Sequence, residues 1–93
     1  MASEEEQELL EVLERLKVGD VLVQSLTTVS SLAWHRLSED ARDLAQARLA
    51  IDTLRAVVPL LGDAVPAEVV RDLEQVTANL QLAYADAVAS APT

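Results

Sequence analysis

Apolar residues recur every three or four positions along most of this 93-residue chain, and that spacing places them on one face of an α-helix. The first run follows Ser3 and Glu6, which fit the capping box that begins many helices. Glutamates at its start also suit the positive end of a helix dipole. The pattern predicts an acidic amphipathic helix over residues 4–18. Its apolar positions are Leu9, Leu10, Leu13 and Leu16.

A second helix is predicted over residues 21–36, after Gly19-Asp20, which can stop the first helix and cap the next. The two segments can also form one continuous helix, because a single glycine costs only about 1 kcal/mol inside a helix. The second segment is apolar on more than one side, which is typical of a helix central in a bundle or at an interface. In so short a chain, we favour an interface. Its predicted residues are Leu22, Leu26, Val29, Leu32 and Trp34.

Two longer helices are predicted over residues 40–58 and 66–88. Each carries a continuous apolar seam with steps of three and four. Pro59 is expected to end or kink the third helix, and Pro66 to begin the fourth. A short turn between seams of matching length predicts an antiparallel hairpin. The seam residues are Leu44, Ala47, Ile51, Leu54, Val58 and Leu61, then Val69, Leu73, Val76, Leu80, Ala83 and Ala87.

The composition favours an all-α fold. With no Phe, one Trp and one Tyr, the core must consist of Leu, Val and Ala, which suits thin helix-on-helix packing. Two Gly and three Pro provide little material for the turns of a β-protein. We therefore expect three to four helices, a C-terminal antiparallel helical hairpin, and a small bundle completed by oligomerisation. The predicted division is an acidic N-terminal helix at 1–19, a helical core at 20–89 and a disordered tail at 90–93.

The net charge of −9 argues against nucleic acid as a partner, because binding to phosphates depends on Lys and Arg. The absence of cysteine excludes disulfides and zinc–thiolate sites, and it fits a reducing compartment. The N-terminal segment is acidic where a signal peptide is basic, and no apolar run approaches the roughly 20 residues of a membrane span. The sequence therefore predicts a cytoplasmic protein with no membrane span.

Few side chains in the sequence suit catalysis or metal binding. His35, the only histidine, lies four residues before Glu39, so the two side chains share a helix face and could hold one metal ion. A helix-end histidine beside an acid is the more ordinary interpretation, and a metal-dependent enzyme stays a third hypothesis. The hydroxyls at 25–31 have no Gly-x-Ser-x-Gly elbow, and two glycines cannot build a phosphate loop. We expect no enzyme activity, no catalytic or metal site, no cofactor and no small-molecule substrate.

Two stretches carry a resemblance to a known family: 47–54 reads Ala-x-x-x-Ile-Asp-x-Leu, and 80–84 reads Leu-x-x-x-Tyr. With Val-Pro-Ala-Glu at 65–68 in place of Thr-Pro-Glu-Glu, the span 21–86 resembles the bacterial domain of unknown function 1844, a family of small helical proteins. The chain departs from that pattern at 60–64, where the family has Lys-Thr-x-Gly-Asn-Leu. The resemblance implies an all-helical, cytoplasmic protein that associates with itself or with a partner, and it implies no assigned activity.

Two functional hypotheses follow. The first is a non-enzymatic helical interaction or oligomerisation subunit that associates with itself or with a larger partner protein, because a small chain cannot hide the apolar surface of its second helix. The alternative is an acidic regulatory protein whose first helix docks on a basic site of a partner. Strong salt sensitivity is expected of the second and little of the first.

Overall fold

The computed structural model describes residues 3–90, and this part of the chain contains helices and turns with no strand. Short 3₁₀ turns follow the second and third α-helices. The all-α prediction is therefore confirmed. The helices are α1 (Glu4–Arg15), α2 (Val18–Leu37), α3 (Leu44–Leu61) and α4 (Ala67–Ser90), and the 3₁₀ turns are Glu39–Ala41 and Gly62–Ala64.

Helices α2, α3 and α4 form a three-helix bundle in which each helix packs on the other two. The Asp43 N–H donates to the Arg36 carbonyl at 2.8 Å across the turn between α2 and α3, and residues 29–36 and 46–53 line one groove, so the two helices are antiparallel. The α3–α4 pair is also antiparallel, because residues 48–55 share a groove with 81–84 and residues 54–59 share one with 74–81. The predicted C-terminal hairpin is confirmed.

The core of the bundle consists of aliphatic side chains from all three helices and from the turn before α4. In the described part of the chain, no buried side-chain nitrogen or oxygen lacks a hydrogen-bond partner. The buried Thr77 hydroxyl, for example, donates to the Leu73 carbonyl at 2.7 Å. The core residues are Leu26, Ala33, Leu37, Ala47, Ile51, Leu54, Val58, Leu61, Val65, Leu73, Leu80 and Ala87.

Helix α1 stands apart from this core, since none of its twelve residues is buried. Its N-terminus is capped as predicted, with the Glu6 backbone N–H donating to Ser3 Oγ at 3.2 Å. The molecule measures 63 × 28 × 16 Å. A helix of the length of α4, 24 residues, spans about 36 Å at 1.5 Å per residue. The long axis of the molecule is far longer, so α1 extends beyond the end of the bundle.

The boundary between the first two helices was predicted three residues too late. Leu16 and Lys17 both adopt extended backbone conformations, and α2 begins at Val18. Gly19 therefore lies inside α2, where an added Cβ would come within 3.1 Å of Val65 Cγ1 and 3.2 Å of the Ala64 carbonyl oxygen. The glycine allows the start of α2 to approach the α3–α4 turn, and it does not end α1. The two helices are separate rather than continuous.

The third helix begins at Leu44, four residues after the predicted start. The Asp43 side chain caps it by accepting the Gln46 N–H at 3.2 Å. Two bonds tie the preceding turn to the end of α2: the Asp43 N–H donates to the Arg36 carbonyl at 2.8 Å, and Arg42 Nη2 donates to the Leu37 carbonyl at 3.0 Å. Glu39 and Asp40 belong to a 3₁₀ turn instead.

The prolines act differently from expectation. Pro59 lies inside α3, which continues to Leu61 and is followed by Gly62 at a φ of 47°. A proline this close to the helix end removes one hydrogen bond, and the glycine rather than the proline terminates the helix. Pro66 precedes α4, and its carbonyl accepts the N–H groups of Val69 and Val70. Helix α4 continues to Ser90, two residues beyond its predicted end, and the rest of the predicted tail at 90–93 lies outside the described residues.

Candidate interaction surfaces

The five residues predicted to form an interface on α2 occupy three different environments. Leu26 lies in the core with 3% of its surface exposed. Leu22 and Val29 are half-buried and pack against the core. Leu32 and Trp34 are exposed, at 55% and 45%. Three of the five predicted interface residues are thus used to build the bundle.

Leu32 and Trp34 do not share a surface. Residues two apart on a helix point about 160° from one another around its axis. Leu32 lines the groove between α2 and α3, whereas Trp34 is absent from that groove. The structure therefore divides the predicted interface residues between the core and two separate sides of α2.

The groove between α2 and α3 is lined mostly by apolar side chains. Its volume is about 290 Å³, and Val29, Leu32, Ala33, Leu49 and Ala50 form most of its lining. The hydroxyl of Thr53, which also lines it, already donates to the Leu49 carbonyl at 2.8 Å.

The apolar character continues beyond the groove along both helices. Because Val29 faces Thr53 in an antiparallel pair, Val21 lies level with Leu60. Val21 is 44% exposed and Leu60 78%. We call the whole strip the α2–α3 face. It comprises Val18, Val21, Ser25, Val29 and Leu32 of α2, and Leu49, Ala50, Thr53, Ala56 and Leu60 of α3.

No member of the α2–α3 face carries a charge, in a chain with 25% charged residues. Among the described residues that line the groove, Arg36 at one end is the single ionisable side chain. The two grooves between α3 and α4 are different. Arg55 and Glu74 line one of them, and Arg48 and Asp52 line the other, where they form an exposed ion pair at 3.8 Å.

Helix α1 presents a second apolar surface. Its apolar side chains are each 51–59% exposed, and spacings of three and four place most of them on one face. We call this set the α1 ridge. Six glutamates in the same helix surround the ridge with negative charge. The ridge consists of Leu9, Leu10, Val12, Leu13 and, just after the helix, Leu16.

The side chains considered above for catalysis or metal binding either form hydrogen bonds within their own helix or lie at the surface apart from other such groups. The hydroxyls of Thr27, Thr28, Ser30 and Ser31 each donate to a backbone carbonyl of their own helix. His35 is exposed near the end of α2. Within residues 3–90, no group of three or more histidine, aspartate or glutamate side chains is placed to hold a metal ion.

None of the helices in the described part of the chain is both long enough and apolar enough to cross a lipid bilayer. This finding concerns spanning segments only.

The α1 ridge and the α3 side of the α2–α3 face were missing from the predicted interface. A signal for both is present in the sequence. Leu49 and Leu60 lie outside the seam of α3, which marks them as apolar residues with no place in the hairpin. In α1, an apolar stripe lies within a strongly acidic segment. The apolar stripes of the other three predicted helices are matched to one another, so none of them is left to cover the stripe of α1.

Comparison with models of protein families, with curated proteins and with solved structures found no match. The resemblance to the domain of unknown function 1844 therefore remains a prediction, carried by the residues at 47–54 and 80–84.

Proposed function

We propose that this protein is a non-enzymatic helical interaction subunit, which associates with another protein chain through apolar surfaces that its own bundle leaves exposed. One observation carries the proposal: the chain exposes two separate apolar surfaces, the α1 ridge and the α2–α3 face, although only 93 residues are present. Soluble monomers rarely leave contiguous apolar patches of more than a few hundred Å² in water.

The energetic argument rests on area. Five half-exposed aliphatic side chains of the α1 ridge offer on the order of 400 Å² of apolar surface, worth about 10 kcal/mol at 25 cal/mol/Å² before the costs of association. The α2–α3 face offers a similar amount. Docking of either surface would therefore provide a substantial driving force for association.

Helix α1 supports the proposal independently. An isolated helix of about 12 residues is only marginally stable in water, because its nucleus is costly and tertiary packing supplies most helical stability in proteins. The capping by Ser3 and the acidic first turn contribute about 1 kcal/mol each at most. A docked ridge would supply the packing that α1 lacks.

A second candidate function is an acidic regulatory protein, in which α1 occupies a basic site on a partner. The observation in its favour is the charge of α1, where six glutamates and one arginine give a net charge of −5. Such docking weakens steeply as salt is added, because the Debye length falls from about 14 Å at 0.05 M to about 4 Å at 0.5 M.

The test is sedimentation velocity of the fluorescently labelled protein, alone and in extract of the native host, at 0.05 and 0.5 M NaCl. We expect a species heavier than 10.0 kDa whose affinity is unchanged or strengthened by salt. Substituting Leu32→Gln and Leu49→Gln together should weaken it. Leu82→Gln, at an exposed position on α4, is the matched control and should not.

Two outcomes would contradict the proposal. A 10.0 kDa species under every condition, including the extract, would show that neither apolar surface is used. A complex that 0.5 M NaCl dissociates, and that both the double variant and the control retain, would favour the acidic regulatory function instead.

A further inference from the structure

We infer that this protein forms a homodimer in which each apolar surface of one copy binds the other apolar surface of the second copy. The α1 ridge of one protomer lies on the α2–α3 face of its partner and the reverse contact completes a helix-exchanged homodimer. This inference rests on the proposed function and specifies its partner.

The two surfaces match in length. Helix α1 has 12 residues and spans about 18 Å at 1.5 Å per residue. On α2, the face from Val18 to Leu32 covers fourteen residue steps, or about 21 Å. A helix the size of α1 therefore covers most of the length of the face and would complete a four-helix arrangement on each bundle.

The surfaces also match in polarity and charge. The α2–α3 face contains no carboxylate that would repel the glutamates of α1, and Arg36 at the end of the groove attracts them. The grooves on the α4 side of α3 each contain a carboxylate, Glu74 in one and Asp52 in the other, beside arginines. Of the described grooves, the one between α2 and α3 is the groove whose lining includes a basic side chain and no carboxylate.

The geometry of the connection favours exchange over folding back. Leu16 and Lys17 are extended, and they direct α1 past the end of its own bundle along the 63 Å axis of the molecule. A fold-back onto its own α2–α3 face would require the chain to reverse within these two residues. A ridge that projects beyond the bundle is instead placed where a second copy can reach it.

The buried interface area distinguishes the helix-exchanged dimer from dimers that use only one of the two apolar surfaces. Stable interfaces bury about 800 Å² on each partner. A dimer joined only through two α1 ridges, or only through two α2–α3 faces, would bury on the order of 400 Å² on each side, which is the size of a crystal contact. The reciprocal exchange uses both surfaces of both copies and reaches about 800 Å² per protomer.

The test uses two double variants. The ridge variant carries Leu9→Gln and Leu13→Gln, and the face variant carries Leu32→Gln and Leu49→Gln. Gln keeps helix propensity and adds no charge, and all four positions are exposed, so far-UV circular dichroism should be unchanged. We expect a dimer of the parent chain by light scattering, and for each variant alone a dissociation constant at least about 100-fold weaker.

The decisive measurement is the mixture. A ridge variant still has an intact face, and a face variant still has an intact ridge, so one joint can form between them. That single joint buries only about 400 Å² on each side, so mixing labelled ridge variant with excess face variant should give a weak heterodimer. It should be detectable only at high protein concentration, far weaker than the parent dimer but tighter than the self-association of either variant. Leu82→Gln should leave the parent dimer unchanged.

Each alternative has its own result. A ridge variant that still dimerises would indicate contact between two α2–α3 faces, and a face variant that still dimerises would indicate contact between two α1 helices; either overturns the exchange. A monomeric parent with slow amide exchange in α1 would indicate fold-back. A monomeric parent that forms a heavier complex in host extract would overturn the exchange while leaving the proposed function intact.

Discussion

Helices α1 and α4 carry the same kind of sequence pattern but have opposite structural roles. Both have apolar residues at steps of three and four and polar residues between them. In α4 that stripe is buried, and Leu73, Leu80 and Ala87 belong to the core. In α1 no residue is buried. The comparison teaches that an apolar stripe predicts a helix and its buried face, but not the chain that covers it.

The difference arises from the connections. The turn between α3 and α4 is short and reverses the chain at Gly62, so the apolar stripe of α4 packs against the apolar stripe of α3. The connection between α1 and α2 is the extended pair Leu16-Lys17, which separates the helices without reversing them. The stripe of α1 is left without a partner among residues 3–90.

The largest expected effect on stability comes from placing a carboxylate in the apolar stripe of α4, compared with the same substitution in the apolar stripe of α1. Leu80→Asp would bury an unpaired carboxylate where no surface is exposed, and should lower the free energy of unfolding by roughly 3–5 kcal/mol, most of the stability of a small domain. Leu13→Asp on α1 should change it by less than about 0.5 kcal/mol. Urea denaturation followed by circular dichroism, at protein concentrations dilute enough to prevent association, measures both.

Equal losses in these two variants would break the comparison, because they would mean that α1 packs on the bundle of its own chain. Leu82→Asp, which places the carboxylate on the exposed side of α4, controls for the loss of helix propensity.

An intermediate effect is expected where the bundle begins. Gly19→Val adds a branched side chain at a site where Cβ alone would lie 3.1 Å from Val65 Cγ1, and should cost about 1–3 kcal/mol of unfolding free energy through overpacking. Gln24→Val, on the exposed side of the same helix, is the matched control and should cost about 0.5 kcal/mol or less. A Gly19→Val variant as stable as its control would mean that the start of α2 does not press against the α3–α4 turn.

The smallest effect is expected from ionic contacts at the surface. The Arg48–Asp52 pair is 72% and 56% exposed, with a separation of 3.8 Å. Exposed pairs of this kind contribute about 0.5 kcal/mol or less. Arg48→Ala should therefore leave the denaturation midpoint nearly unchanged. A loss above about 1 kcal/mol, repeated in Asp52→Ala, would show that this pair within α3 contributes more to stability than exposed i,i+4 pairs normally do.

The sequence was sufficient to predict the helical fold and the α3–α4 hairpin, because seams of matching length joined by a short turn allow few other arrangements. The helix boundaries were less predictable. Asp43, which lies inside the predicted third helix, caps α3 instead, and Gly19 lies within α2, where it makes a close approach to Val65 that exists only in the folded chain. Such tertiary contacts leave no local pattern in the sequence.

The candidate interaction surface was predictable in part. Excess apolar character marked α2 as a candidate interface, which stays a prediction, and Leu32 is exposed. The same pattern could not separate Leu26, which the bundle buries, from Leu32, which it leaves at the surface, because that division depends on where α3 packs. The contribution of Leu49 and Leu60 requires knowledge of the antiparallel register between α2 and α3.

The position of Trp34 has a practical consequence for optical measurements. It is the only tryptophan, and it lies at the surface rather than among the aliphatic side chains of the core. Its indole is already 45% exposed in the native state, so its emission should change less on unfolding than that of a buried tryptophan. It also lies about 160° around α2 from Leu32, away from the α2–α3 face. Intrinsic fluorescence is therefore a weaker probe of unfolding than circular dichroism, and it is poorly placed to report a helix docking in that groove.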